Sequence, residues 1–198
     1  MVDEHAARGA GLHELIAGRW SPRLFDPAHE VTDEQLRRLL EAARWAPSFG
    51  NTQPARFVAG LRGDDTYERA LAAVSERNQA WAHRAGALVV TLAVRRNEKG
   101  DVPYAEYGAG LAAENLVLQA VAEGLAAHQM AGFDAEQVRS AFAVPDDVTP
   151  MVVVAVGKQA DPESLSGISE RDADRERAPS TRLPLSDIAF TGTWGRGL

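Results

Sequence analysis

Arg19, Ser21 and Arg23 set two cations and a hydroxyl at every second position of Arg19-Trp20-Ser21-Pro22-Arg23. In an extended chain side chains alternate between faces, so these three point one way while Trp20 and Pro22 point the other. Converging donors of this kind suit a phosphate monoester, which carries about −1.5 to −2 charges at pH 7. Each charge-assisted hydrogen bond contributes roughly 1.5–3 kcal/mol, so the three groups together supply about 5–8 kcal/mol, near a micromolar affinity if the terms added. The competing reading is a solvated basic stretch paired with the excess acids of the chain, and spacing alone leaves both open.

About one helix further on, Pro47-Ser48-Phe49-Gly50-Asn51-Thr52-Gln53-Pro54 forms a polar turn. Gly50 permits a tight backbone there, and the amides of Asn51 and Gln53 offer donors and acceptors suited to the carbonyl and imide edge of a flavin ring. Alternatively the two amides only satisfy the backbone of their own turn. Met130-Ala131-Gly132 precedes a helix start, where unpaired N–H groups are free to face a ring nitrogen; taken alone it is a strand-to-helix turn.

Other chemistries lack their residues. The chain has no cysteine, which removes disulfides, thiolate metal sites, iron–sulfur clusters and a cysteine nucleophile. Redox work would then need a bound organic cofactor. His5, His13, His29, His83 and His128 show no metal-ligand spacing, and His128 reads as a strand or turn residue, with pocket lining as the alternative. No Ser–His–Asp order, Walker-type loop, dinucleotide fingerprint or paired-carboxylate motif is present. A net charge of −7 argues against a nucleic-acid partner. Trp45, Trp81, Tyr104 and Tyr107 read as core or interface residues before substrate platforms.

The elements that must position these groups follow from pattern. With 198 residues, 45% of them apolar and 25% charged, the chain fits one soluble domain, and no apolar run approaches the ~18 residues of a membrane span. Its acidic start, Met1-Val2-Asp3-Glu4-His5, lacks the apolar core of a signal peptide, so the expected location is cytoplasmic. A first helix is expected from about Glu4 to Gly18. Thr32-Asp33-Glu34-Gln35 is a capping box with Val31 and Leu36 as its staple, predicting a helix from Asp33 to about Trp45 that stops before Pro47. Arg56 to Leu61 reads as a short strand and Thr66 to Gln79 as one helix. Ala87 to Val94 reads as a strand buried on both faces, with Met151 to Val156 as its partner.

Between those strands a helix from about Ala105 to Gly124 carries Leu111, Leu118, Ala122 and Leu125 at helical spacing, with Leu116, Val117 and Val121 on its other side. Apolar residues all round predict burial all round, with a second chain able to cover the extra face. Asp134 caps a further helix, with Gln137 in the capping-box position and Phe133 with Val138 as its staple. After Gly157 the chain turns charged and Pro-rich, yet Leu183, Leu185, Ile188, Phe190 and Trp194 follow, so this tail is expected to wrap on a surface. No internal repeat appears, and the pattern is that of a single α+β domain.

With these pieces in view the chain resembles the nitroreductase family of FMN-dependent, NAD(P)H-using oxidoreductases. The likeness rests on Arg19-Trp20-Ser21-Pro22-Arg23 with Phe25-Asp26-Pro27, and on Glu41-Ala42-Ala43-Arg44-Trp45-Ala46-Pro47-Ser48-Phe49-Gly50-Asn51-Thr52-Gln53-Pro54. Glu114-Asn115-Leu116-Val117-Leu118-Gln119-Ala120, Gly124-Leu125, Gly132-Phe133-Asp134, Arg182-Leu183-Pro184-Leu185-Ser186-Asp187-Ile188 and Trp194-Gly195 continue it in the same order over nearly the whole chain.

The resemblance implies an intertwined homodimer with two FMN sites at the subunit interface. It implies a three-layer α+β fold, with a central, mostly antiparallel sheet between helices, and one domain over residues 1–198 whose segment from about 160 to 198 wraps on the partner. Arg19, Ser21, Arg23 and Arg182 would hold the FMN phosphate, beside Trp20. Asn51 and Gln53 would meet the ring, Pro47, Ser48 and Phe49 would come from the other subunit, and Met130, Ala131 and Gly132 would approach the reactive edge through backbone. NADH or NADPH would give hydride to the flavin and leave before a small acceptor, such as a nitroaromatic or quinone, takes two electrons. No acid–base residue of the protein is required.

Two departures stand out. Ser180 occupies a position that is basic in many members, which implies a weaker phosphate grip, and Phe49 replaces a small polar residue, which would narrow the pocket over the ring. The alternatives are a specialised flavin reaction such as dehalogenation or flavin breakdown, a protein that stores or sequesters FMN without turnover, and a deazaflavin in place of FMN.

Overall fold

The computed structural model describes residues 11–161, 169–178 and 180–198. Its centre is a four-stranded sheet whose neighbouring strands all run antiparallel. The strands are β1 (Ala55–Leu61), β2 (Ala87–Val94), β5 (Ala126–Met130) and β6 (Val148–Gly157), in the order β1-β2-β6-β5. β3 (Arg96–Asn97) and β4 (Gly100–Asp101) form a separate small hairpin.

Period-two alternation sorts the sheet's side chains into two cores. Leu88, Val90, Leu92, Val153 and Ala155 face one cluster, with Tyr67, Ala70, Trp81 and Val138. These come from α3 (Asp65–Ala73), α4 (Glu76–Ala82) and α6 (Ala135–Phe142). Ala87, Val89, Val154 and Val156 face the other, against Leu36, Leu39, Ala112, Leu116 and Ala120. Those helices are α2 (Asp33–Arg44) and α5 (Ala105–Ala122). The result is the three-layer α+β arrangement, with β2 buried on both faces over all but its last residue.

Local signals set most boundaries. Thr32 and Gln35 make both halves of the capping box at the start of α2, and Trp45 closes that helix before Pro47. Asp134 caps α6 by accepting from the N–H groups of Glu136 and Gln137. α1 (Glu14–Gly18) is the described end of the first expected helix; its part before Gly11 lies outside the described residues.

One expected helix is two. The pattern from Thr66 to Gln79 is interrupted at Val74, whose backbone is extended (φ −76°, ψ 145°) and pairs with Phe133 in a β-bridge. Ser75 N–H donates to the Gly132 carbonyl at 2.9 Å, and Gln79 Nε2 donates to the Val74 carbonyl at 2.6 Å. Backbone groups that a continuous helix would pair internally are paired across the fold instead.

α5 also differs from expectation. Leu116, Val117 and Ala120 are buried, whereas Leu111, Leu118 and Val121 are only half-buried within one chain. The charged run after Gly157 contains α7 (Glu170–Arg177), capped by Ser169, whose Oγ accepts from the Asp172 N–H. Beyond it the chain makes a small compact turn, with Phe190 and Trp194 rings 4.8 Å apart, while Leu183, Leu185, Ile188 and Trp194 stay exposed. No helix among the described residues is long and apolar enough to cross a membrane.

Candidate functional site

The extended segment between α1 and the sheet brings its cations to one place. Arg19, Ser21 and Arg23 line a pocket of about 380 Å³ together with His128 from β5, Arg175 from α7 and Arg182 from the C-terminal segment. Arg182 thus joins the first three across 159 residues of sequence, counted from Arg23. Arg19 Nη1 donates to Ser21 Oγ at 3.1 Å, which ties the first cation to the hydroxyl. Trp20 departs from the expected alternation: it lines the same pocket, and its indole N–H donates to Glu176 Oε2 at 3.2 Å.

Glu176 and Asp172, on one face of α7, fasten that helix to the segment. The other oxygen of Glu176 accepts the backbone N–H of Arg23, and Asp172, 6% exposed, pairs with Arg23 Nε at 3.4 Å. Ser169 Oγ donates to Asp172 at 2.7 Å, so the buried carboxylate is satisfied from two sides. Burial is the first cause that pulls the Arg23 pKa down, and the neighbouring Arg175 the second, while Asp172 and Glu176 act the other way. Arg19, Arg23, Arg175 and Arg182 outnumber Asp172 and Glu176, leaving this end of the molecule cationic in an acidic chain.

His128 forms part of the floor. Its Nδ1 lies 2.9 Å from the Pro22 carbonyl, which only accepts, so Nδ1 carries the proton and Nε2 is left as an acceptor. Burial pushes its pKa down to about 4, with Arg23 and Arg19 adding to the shift and the Pro22 carbonyl opposing it. Beneath it Trp81 is 1% exposed, with its ring centroid 4.6 Å from that of His128 and 6.0 Å from the Arg23 guanidinium carbon. The Trp81 indole N–H has no acceptor among the described residues.

The polar turn lies elsewhere in the chain. Pro47, Ser48 and Gln53 line a second, mostly apolar pocket of about 320 Å³, with Gly108 and Ala112 of α5 as its wall. Gly108 is needed there: a Cβ would stand 2.8 Å from Pro54 Cγ. The backbone of the turn is left-handed at Gly50 (φ 52°), Asn51 (φ 56°) and Gln53 (φ 47°), a conformation that Gly and Asn accept and Gln rarely adopts. Ser48 Oγ accepts the Gln53 N–H at 2.9 Å, and Arg56 donates to the Gln53 carbonyl at 2.8 Å, which holds the strained residue in place. Asn51 is exposed, and Phe49, 56% exposed, leans on Tyr104 with ring centroids 5.5 Å apart.

The third group falls at the end of β5. Met130 is 2% exposed and belongs to the core, so within one chain it offers a ligand almost no surface. Ala131 and Gly132 are exposed. The Gly132 carbonyl is held by Ser75 N–H and, at 3.3 Å, by Asn78 Nδ2, and a Cβ on Gly132 would stand 2.9 Å from that amide nitrogen. Glycine is required at 132 by the close approach of Asn78 and Ser75 from α4 and its cap.

One chain therefore gathers Arg19, Trp20, Ser21, Arg23 and Arg182, and keeps Pro47, Ser48 and Gln53 in another pocket. Sequence reasoning missed Arg175, Asp172 and Glu176, which sit in the charged stretch after Gly157 that is expected only to wrap on a surface. The only signal available was their three- and four-residue spacing on one helical face. Among the described residues no group of His, Asp and Glu is placed to hold a metal ion.

Known proteins resemble the chain over most of its length. The sequence pattern of the nitroreductase family matches residues 16–158. An uncharacterised 15.4 kDa protein of Mycolicibacterium smegmatis, in the ask 5′ region, is 40% identical over 151 residues, covering 72% of this chain and 99% of that protein. The oxygen-insensitive NADPH nitroreductase of Helicobacter pylori is 31% identical over 108 residues, covering 54% of this chain and 50% of that protein. A crystal structure described as an oxidoreductase containing FMN superposes with a TM-score of 0.87 at 32% identity, covering 96% of each chain.

Proposed function

Since this chain belongs to the nitroreductase family, and with it to the NAD(P)H-dependent oxidoreductases that use FMN, we propose that it passes electrons from NADH or NADPH to a small acceptor in a ping-pong cycle. Nitroaromatics and quinones are the acceptor classes. When bound, FMN supplies the two-electron chemistry, and the protein supplies binding, orientation and electrostatics.

The observation that carries this reading is the meeting of Arg19, Ser21, Arg23 and Arg182 in one pocket. Its donor set fits a phosphate: guanidinium groups in excess over carboxylates, a hydroxyl, and a neutral imidazole that does not itself demand an anion. The exposed backbone at Ala131 and Gly132 fits the other end of such a cofactor, because a flat ring is met there by backbone N–H groups.

Each residue then has a task. Arg19, Ser21, Arg23 and Arg182 bind the phosphate, and Trp20 walls it. Asn51 and Gln53, both exposed on a turn with left-handed backbone, hydrogen-bond the ring's polar edge, for which Gln53 Nε2 gives up its 3.4 Å contact with the Asn51 carbonyl. Pro47, Ser48 and Phe49 are contributed by a second copy, which explains why one chain keeps them apart from the arginines. The half-buried Leu111 and Leu118 of α5 and the exposed apolar residues from Leu183 to Trp194 supply the surface for a homodimer in which the C-terminal segment wraps on the partner. Phe49 and Tyr104 narrow the approach and favour flat acceptors.

The decisive experiment is the visible spectrum of the purified protein before and after anaerobic NADH or NADPH. A flavin absorbance that bleaches and returns on adding a quinone is the expected result. Protein that ignores added FMN, or binds it and is not bleached by either nucleotide, would overturn the reading.

A further inference from the structure

Arg175 occupies the pocket in a way the rest of the site makes meaningful. It stands on α7, one residue before Glu176, whose carboxylate is fixed by Trp20 Nε1 and the Arg23 backbone N–H. That contact turns the adjoining arginine into the pocket lined by Arg19, Ser21, Arg23 and Arg182. Among the described residues the acid paired with Arg175 is Asp172, at 4.0 Å, and Asp172 is already engaged by Arg23 at 3.4 Å and by Ser169 at 2.7 Å. Arg175 is therefore a cation whose charge is only partly answered, and its side chain keeps 36% of its surface open. Ser180, which lines the same pocket, brings a hydroxyl where a second basic residue would otherwise complete the grip.

We propose that α7 is a clamp over the phosphate end of the site, in which Arg175 binds the phosphate directly in place of the missing basic side chain at Ser180, and Glu176 is the positioning residue that holds the clamp shut. The proposal rests on the reading of this pocket as the FMN phosphate site. The guanidinium groups of Arg23 and Arg175 line one pocket and repel each other, and a dianion bound between them relieves that repulsion. The clamp thereby ties cofactor choice to the C-terminal segment: a flavin with a terminal phosphate engages Arg175, whereas one without it leaves Arg175 facing solvent.

The test compares dissociation constants of FMN and riboflavin for the flavin-free full-length protein, read by quenching of flavin fluorescence. Wild type is expected to favour FMN. Arg175→Gln should raise the FMN constant by about 10- to 100-fold while moving the riboflavin constant less than about threefold. Arg175→Lys should recover part of the loss, and Ser180→Arg added to Arg175→Gln should recover most of it, because it restores a cation to the pocket lining. An FMN constant unchanged in Arg175→Gln, with wild type still favouring FMN, overturns the clamp and leaves the phosphate site standing. Equal loss for FMN and riboflavin, with no rescue by Ser180→Arg, also overturns it by reducing Arg175 to a structural part. Wild type that binds both flavins alike overturns the underlying reading of the pocket.

Discussion

The carboxylate of Glu176 accepts the indole N–H of Trp20 at 3.2 Å across 156 residues of sequence. With the Arg23 N–H on its other oxygen, this one side chain joins the last described helix to the segment that carries the first cations of the site. Hydrogen bonds to a charged acceptor contribute about 1.5–3 kcal/mol each, so the joint is strong for a surface helix of eight residues. Glu176→Gln presents an amide NH₂ to one of the two donors and should free α7. Hydrogen exchange of the amides from 170 to 177 is expected to speed up by about tenfold or more, with the sheet unchanged. Unaltered protection of that helix would show that the joint does not hold it.

Arg19 is half-buried and tied to Ser21 Oγ at 3.1 Å, so its guanidinium enters the pocket with little freedom to lose. Arg19→Ala should weaken FMN binding by about 10- to 100-fold, the value of one charge-assisted bond, and the effect should shrink in high salt. Calorimetric titration at two ionic strengths checks both parts.

Gly108 lies under Pro54, where a Cβ would stand 2.8 Å from the proline ring. Gly108→Ala must push the Pro47–Pro54 turn away from α5 or strain the helix. A stability loss of about 1–3 kcal/mol is expected from overpacking, against a gain of up to about 1 kcal/mol in helix propensity. Denaturant midpoints measure the sum, and an unchanged or raised midpoint would mean that the turn yields freely.

His128 makes stability depend on pH with a definite sign. Its pKa in the fold, about 4, lies below the ordinary histidine value of 6.5, chiefly through burial. Between those values the unfolded chain binds the proton and the fold does not, so stability falls as pH drops from 6.5 toward 4 and levels below it. The contribution is at most about 3 kcal/mol. Urea midpoints at pH 7 and pH 5 should differ in wild type and differ less in His128→Gln.

Leu118 is half-buried on the outer face of α5. If a second copy covers that face, Leu118→Arg buries an unpaired charge there at a cost of several kcal/mol. Sedimentation velocity at micromolar concentration should show a dimer for wild type and a monomer for the variant, with flavin lost from the monomer. A dimer in both would place the interface elsewhere.

Much of this protein is written locally. The capping box at Thr32 and Gln35, the stop before Pro47 and the buried runs of β2 and β6 all depend on neighbours within a few residues, and all appear where the sequence puts them; Arg19, Ser21 and Arg23 also meet, although Trp20 joins them against the expected alternation. The family likeness follows from the same short motifs. Other features have no local cause. Val74 and Ser75 break a helical pattern because Phe133 and Gly132, distant in sequence but on the same side of the sheet, offer their backbones, and Ala126–Met130 becomes a strand because the edge of β6 pairs with it. Arg175, Asp172 and Glu176 carry no site signal in the charged stretch after Gly157, since it is the approach of Trp20 and Arg23 that gives those carboxylates long-range partners and brings Arg175 to the pocket. A backbone or carboxyl group takes the partner that the fold brings within 3 Å, and which partner that is depends on contacts distant in sequence.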